Sequence, residues 1–270
     1  MANLPRVVLI TGASSGFGRA IAADLATRGW EVWAASRHPQ PVERCRTLTL
    51  DVCSDLSVAD GVAQVLRESG RIDALVNNAG YGIAGAIEDT TAQEAWAQLD
   101  TNFIGMHRLC RAVIPGMRAA RAGRIVNMSS LGGLVALPFQ AFYAASKFAV
   151  EAYTEALRME LAAFGIKVSM VEPGDFATGF TASRRLTAAC AQGSPYFETA
   201  TRVIARAGED EQKMRDIGPV VRAVSAALES RSPRLRYPVA SAIQRLLVGL
   251  RPVLPQPWFE YLVMDNYKMR

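Results

Sequence analysis

Short apolar runs alternate with longer stretches of helical periodicity through the first two-thirds of the chain. Val7-Val8-Leu9-Ile10 has no polar interruption and predicts a strand buried on both faces. A helical pattern from about Gly16 to Arg28 follows and stops at Gly29. The same reading predicts strands over Glu31–Ala35, near Leu48–Leu50, and over Ala74–Val76, Arg124–Met128 and Lys167–Val171. Helices are predicted over about Ser54–Glu68, as one long element over about Ala92–Arg118, and over about Phe142–Phe164, closed by Gly165. Continuous apolar strands separated by helices imply a parallel sheet covered on both sides. Right-handed crossovers then predict a Rossmann-type doubly wound α/β domain.

No repeat, low-complexity tract or linker divides the 270 residues, so one domain over 1–270 is expected. Beyond Thr178 the pattern loosens. Residues 181–215 are rich in small and polar side chains and read as a mobile substrate lid. Five prolines, at 233, 238, 252, 255 and 257, break up the remainder. Within a C-terminal extension over about 240–270, Ile243, Leu246, Leu247 and Leu250 share a helical face.

Half of the residues are apolar, which excludes intrinsic disorder. The formal charge of +5 resides entirely in residues 231–270, where seven bases face only Glu260 and Asp265. The main body therefore lacks the basic stripe of a nucleic-acid reader. A lid or core-covering helix is the first reading of this basic, apolar tail. A dimer contact comes second. Leaning on a membrane comes last, because one short amphipathic helix anchors weakly. Cys45, Cys53, Cys110 and Cys190 form no C-x-x-C pair, and with two histidines no metal site is expected. Free thiols and the lack of a signal-peptide core suit a cytoplasmic protein.

Two regions carry the chemistry. Thr11-Gly12-Ala13-Ser14-Ser15-Gly16-Phe17-Gly18 joins the first strand to the first helix, where backbone N–H groups and a helix N-terminus can hold a phosphate. A plain strand–helix turn that needs glycine is the competing reading. At the end of the second strand stand Ser36 and Arg37, and no acid. An arginine there can pair with a ribose 2′-phosphate, which predicts NADP(H) over NAD. A solvated loop arginine is the alternative. Tyr143 and Lys147 share one helix face at i, i+4 spacing, with Ser130 thirteen residues upstream of the tyrosine. His38 and His107 suggest no hydrolase, since no G-x-S-x-G elbow occurs. Cys53, Trp30, Trp33, Met106, Met117 and Met159 are read as packing residues.

The TGASSGFG turn, Asp51-Val52, Asn77-Asn78-Ala79-Gly80, Asn102, Ser130, Tyr143-x-x-x-Lys147 and Pro173-Gly174-x-x-x-Thr178 occur in this order over residues 5–180. Together they resemble the short-chain dehydrogenase/reductase family, and its hydroxysteroid- and retinol-dehydrogenase branch in particular. The resemblance implies that Tyr143 is the general acid/base, that Ser130 holds the substrate oxygen, and that Lys147 lowers the phenol pKa and bonds the nicotinamide ribose. Asn102 would position a water linking Lys147 to solvent. Gly12, Ser14, Ser15, Gly16, Phe17 and Gly18 would bind the cofactor, with Ser36 and Arg37. Asp51 would accept from the adenine amine beside the Val52 backbone. Asn78, Ala79 and Gly80 would form the cofactor wall. Thr178 would bond the nicotinamide carboxamide, and Pro173, Gly174 and Phe176 would join the cofactor site. The apolar segment 131–139, with Phe176 and Phe180, predicts a lipophilic carbonyl or alcohol substrate such as a steroid, retinoid or aryl or alkyl ketone. A 3-oxoacyl thioester reductase is the alternative enzyme, disfavoured by the long C-terminal extension. A non-catalytic NADP-sensing protein is the alternative outside catalysis. A homodimer or homotetramer is compatible with the family.

Overall fold

The computed structural model describes residues 5–177 and 184–269. Its centre is a seven-stranded, all-parallel sheet. In chain order the strands are β1 (Val7–Thr11), β2 (Glu31–Ser36), β3 (Cys45–Thr49), β4 (Ala74–Asn77), β6 (Gly123–Met128), β7 (Ile166–Pro173) and β9 (Arg236–Val239). In space they run β3-β2-β1-β4-β6-β7-β9. The order reverses between β1 and β4, and that crevice at the carboxyl ends is where a doubly wound sheet binds ligands. A separate two-stranded ribbon pairs β5 (Ile83–Ala84) with β8 (Arg185–Leu186).

Two apolar layers cover the sheet. On one face lie α2 (Asp55–Ser69), α4 (Gly105–Ala119) and α5 (Ala141–Leu161), packed on Leu9, Leu75, Ile125 and Val168. On the other lie α1 (Gly16–Thr27) and α7 (Gly218–Glu229), packed on Val8, Ile10, Val76 and Val126. Alternate residues of each strand thus serve opposite layers, which is why the strands read as unbroken apolar runs. Each fully buried leucine or isoleucine is worth roughly 1.5–3 kcal/mol of transfer free energy.

Local chemistry sets the element ends. Ser54 caps α2 by accepting from the Ser57 amide at 3.2 Å. Gly165 ends the α5 region in the left-handed conformation, φ +74°. Trp30 and Trp33 are buried, as are Met106 and Met117, but Met159 is 73% exposed and fills no gap.

Three regions differ from the pattern-based reading. The long helix predicted over 92–118 is α3 (Ala92–Leu99), then a wide π-type turn over Asp100–Ile104, then α4. The Gly105 amide bonds the Asp100 carbonyl five residues back, a widening that leaves the periodicity nearly unchanged. Residues 181–215, read as a mobile insertion, contain the 17-residue helix α6 (Phe197–Lys213). Its ion pairs, such as Arg206–Asp210 at 3.2 Å, account for the polar composition that disguised it. Pro238 lies in β9, which is tolerated because β9 is an edge strand. The C-terminal extension forms α8 (Ala242–Leu250) and α9 (Gln256–Asn266). No helix among the described residues is long and apolar enough to cross a membrane.

Candidate active site

The crevice begins at the turn after β1. Gly12 has φ +65°, and a Cβ on it would stand 2.8 Å from the Ala79 Cα. Asn78 closes the turn from the other side. Its side-chain amide donates to the Thr11 and Gly12 carbonyls at 3.0 and 3.1 Å. The Thr11 hydroxyl accepts from the Asn78 and Ala79 amides, both at 3.1 Å. The segment 77–80 therefore holds the glycine turn rigidly against the start of α1. Glycine at position 12 lets the turn lie directly against this segment, where any side chain would collide.

Ser36 ends β2 and Arg37 follows it, exposed. The Ser36 hydroxyl oxygen is buried and has no hydrogen-bond partner among the described residues. Asp51 and Val52 follow β3. The Asp51 carboxylate accepts from the Cys53 amide at 3.0 Å, and the Val52 carbonyl accepts from Arg108 at 3.1 Å. Cys53 itself contacts the Thr101 hydroxyl at 3.3 Å.

Tyr143 and Lys147 lie in the first two turns of α5, both buried, with the Lys147 Nζ 5.9 Å from the Tyr143 ring centre. Lys147 donates to the Met128 carbonyl at 2.8 Å. Burial holds its ammonium down at about 8, with Glu151 acting in the opposite sense. Burial pushes the Tyr143 phenol up to about 12, while its hydrogen bond with Ser130 lowers it. Ser130 sits in extended backbone just past β6, and its hydroxyl accepts from the Gly132 amide at 3.0 Å. Asn102 lies in the π-type turn. Its side chain accepts from the Tyr81 amide and donates to the Tyr81 carbonyl, both at 3.0 Å, and donates to Ser146 at 3.1 Å. The wide turn aims Asn102 at the β4 loop, where its Oδ1 would stand 3.1 Å from a Cβ on Gly80.

One cavity of about 760 Å³ joins these groups. Gly12, Ser15, Gly16, Phe17, Asn78, Gly80, Ser130, Tyr143, Lys147, Pro173, Gly174 and Phe176 line it. Phe176 packs edge-on against Phe17 at 5.6 Å between ring centres. Ser14, Gly18, Ser36, Arg37, Asp51, Val52, Ala79 and Asn102 are not among the cavity's lining residues. Thr178 and Phe180 fall outside the described residues. His107 takes no part; its ring bonds the Tyr153 hydroxyl at 3.1 Å on the surface.

The apolar segment 131–139 supplies Leu131, Val135 and Leu137 to the cavity wall, and Leu247 joins them from α8. The sequence reading missed Val248, Phe259, Leu262 and Val263, which extend this apolar side of the cavity. Asp175, Arg184, Arg206, Asp210 and Glu211 give it a charged one. No local signal marks them, because α6, α8 and α9 meet the crevice only through chain folding.

The chain is similar to dehydrogenases and reductases of known sequence and structure. The family model for short chain dehydrogenases matches residues 6–189. A 3-ketodihydrosphingosine reductase of Bacteroides thetaiotaomicron is 40% identical over 267 residues, covering 98% of this chain and 99% of that protein. Human retinol dehydrogenase 8 is 43% identical over 195 residues, covering 67% of this chain and 62% of that protein. A short-chain dehydrogenase structure from Streptomyces avermitilis superposes with a TM-score of 0.82 at 30% identity, covering 98% of this chain and 97% of that one.

Proposed function

Since the chain belongs to the short-chain dehydrogenase family and is an oxidoreductase of that family, we propose that it reduces the ketone of a long-chain amino alcohol with NADPH. The observation that carries this reading is the single cavity in which a phosphate-type glycine turn, the Ser130–Tyr143–Lys147 group and an extended apolar wall are continuous. A preformed, mostly apolar cleft with a few convergent polar groups suits a lipophilic substrate with one reacting oxygen. The 3-ketodihydrosphingosine reductase aligned along nearly both full lengths supports the same substrate class.

The chain's own residues fit a dinucleotide. The glycine turn at the N-terminus of α1, with Gly12, Ser15 and Gly16 on the cavity wall, suits a pyrophosphate, and the unpartnered Ser36 hydroxyl beside the exposed Arg37 suits a 2′-phosphate. Asp51, Val52, Asn78, Ala79, Gly80, Pro173, Gly174 and Thr178 would complete that site. When bound, the nicotinamide supplies the hydride. Tyr143, held protonated by burial, gives its proton to the carbonyl oxygen. Ser130 donates a hydrogen bond to the same oxygen and steadies the developing alkoxide. Lys147 and Asn102 return a proton toward Tyr143. General acid catalysis of this kind contributes typically about 10²–10⁴-fold. Helices α6, α8 and α9 form the lid over the substrate.

The test is cofactor oxidation with 3-ketodihydrosphingosine, retinal and a 3-oxoacyl thioester, each with NADPH and NADH. Turnover of the amino ketone with NADPH is expected. Preference for the thioester, or for NADH, would overturn the corresponding part of the reading.

A further inference from the structure

The charges on the cavity wall do not pair evenly. Arg184 and Glu211 form a buried ion pair, with side chains 4% and 9% exposed. Arg206 and Lys213 both turn to Asp210, at 3.2 and 2.6 Å. Asp175, two residues past Pro173 on the cavity wall, has no ion-pair partner among the described residues. The Gln244 side-chain amide, on α8, donates to the Asp175 Oδ2 at 2.5 Å. A buried carboxylate with a neutral hydrogen-bond donor and no ion-pair contact is costly unless a cation completes it.

The place of Asp175 limits what that cation can be. Asp175 and Tyr143 line the same cavity, and the charges of Glu211, Arg184 and Asp175 all act on the Tyr143 phenol. Burial, and then the charges of Glu211 and Asp210, push the Asp175 carboxyl up to about 6. The opposing charge of Arg184 is weaker than either of these, so the balance of neighbouring charge at Asp175 favours an added positive group. The rest of the cavity wall around the segment 131–137 and α9 is apolar. A cation next to the reacting carbon, with a hydrocarbon tail beyond it, matches both sides at once.

We infer that Asp175 is the specificity residue that receives an ammonium group carried on the carbon next to the reacting carbonyl. This rests on the proposed reduction of a long-chain amino ketone and names what selects that substrate. An ammonium there replaces the missing counter-ion, whereas a ketone without the amine leaves Asp175 buried and unmatched. The selection therefore works by rejecting the uncharged analogue as much as by attracting the amine.

The experiment compares wild type with Asp175→Asn, an isosteric change that leaves Gln244 a partner. Thermal melts confirm folding of the variant. Turnover is measured with 3-ketodihydrosphingosine and with the same ketone lacking the amine. Binding of dodecylammonium and of dodecanol is followed by intrinsic tryptophan fluorescence. Wild type is expected to prefer the amine in both assays by about 10-fold or more, and Asp175→Asn to bring both ratios near one. A ratio unchanged by the substitution, or no preference in wild type, overturns the role of Asp175. If neither ketone turns over but dodecylammonium binding still depends on Asp175, the ammonium site stands and the reductase reading falls.

Discussion

Arg236 on the edge strand β9 reaches Glu151 on α5, donating from its guanidinium to Oε2 at 2.9 Å. Its Nε also stands 3.0 Å from Glu172 on β7. Glu151 in turn accepts from Ser129, the neighbour of Ser130. One arginine thus ties the last strand to the helix that carries Tyr143 and Lys147. It faces two buried carboxylates, and burial followed by the Glu151 charge pushes Glu172 up to about 8. Burial and the like neighbouring charge thus favour a protonated carboxyl within this pair.

This arrangement sets a pH dependence of stability. Glu172 holds its proton more tightly folded than unfolded, from a reference near 4.5 to about 8. Its contribution is complete below pH 4.5 and is lost as pH rises through about 8. Melting temperatures should therefore decline over that window beyond the trend set by other groups. Glu172→Gln should flatten the decline. A variant with the wild-type pH slope would contradict the shared proton.

Removing the cation tests the same cluster from the other side. Arg236→Met leaves Glu151 and Glu172 without their counter-charge. Loss of one partner of a buried ion pair costs about 3–5 kcal/mol. Arg236 is about one-third exposed, so solvent screening brings the expected loss to the lower end or below it. Denaturant unfolding would measure it.

Tyr143→Phe removes the proton donor and keeps the ring. Turnover is expected to fall by about 10²–10⁴-fold while cofactor binding, read by fluorescence titration, stays within a few-fold. Retained turnover would exclude Tyr143 as the acid.

Lys147→Met should separate stability from activity. Burial holds the Lys147 ammonium down from 10.5 to about 8. Folding therefore disfavours its charged form, and this contribution improves as pH rises between those values and is absent below them. At neutral pH the methionine should melt no lower than wild type, and turnover should fall by about 10²-fold or more. A variant that is both inactive and markedly destabilised would make Lys147 chiefly structural.

Arg37→Asp tests the cofactor assignment. The acid should repel a 2′-phosphate and accept from a 2′-hydroxyl, so the kcat/KM ratio of NADPH to NADH should fall by about 10-fold or more. An unmoved ratio would place the phosphate elsewhere.

The chain itself determined the sheet, its covering helices and the paired motifs at the crevice. These depend on local periodicity and on glycine, proline and capping positions, which act within a few residues. The π-type turn at Asn102 was hidden because a one-residue widening hardly alters helical spacing. Helix α6 was hidden because its charges pair with each other. Only the tertiary structure could bring Asp175, Gln244 and Glu211 to the cavity of Tyr143. Those residues come from three separate segments, and their meeting depends on how α6 and α8 pack over the sheet, an energy of buried surface that no short stretch of sequence contains.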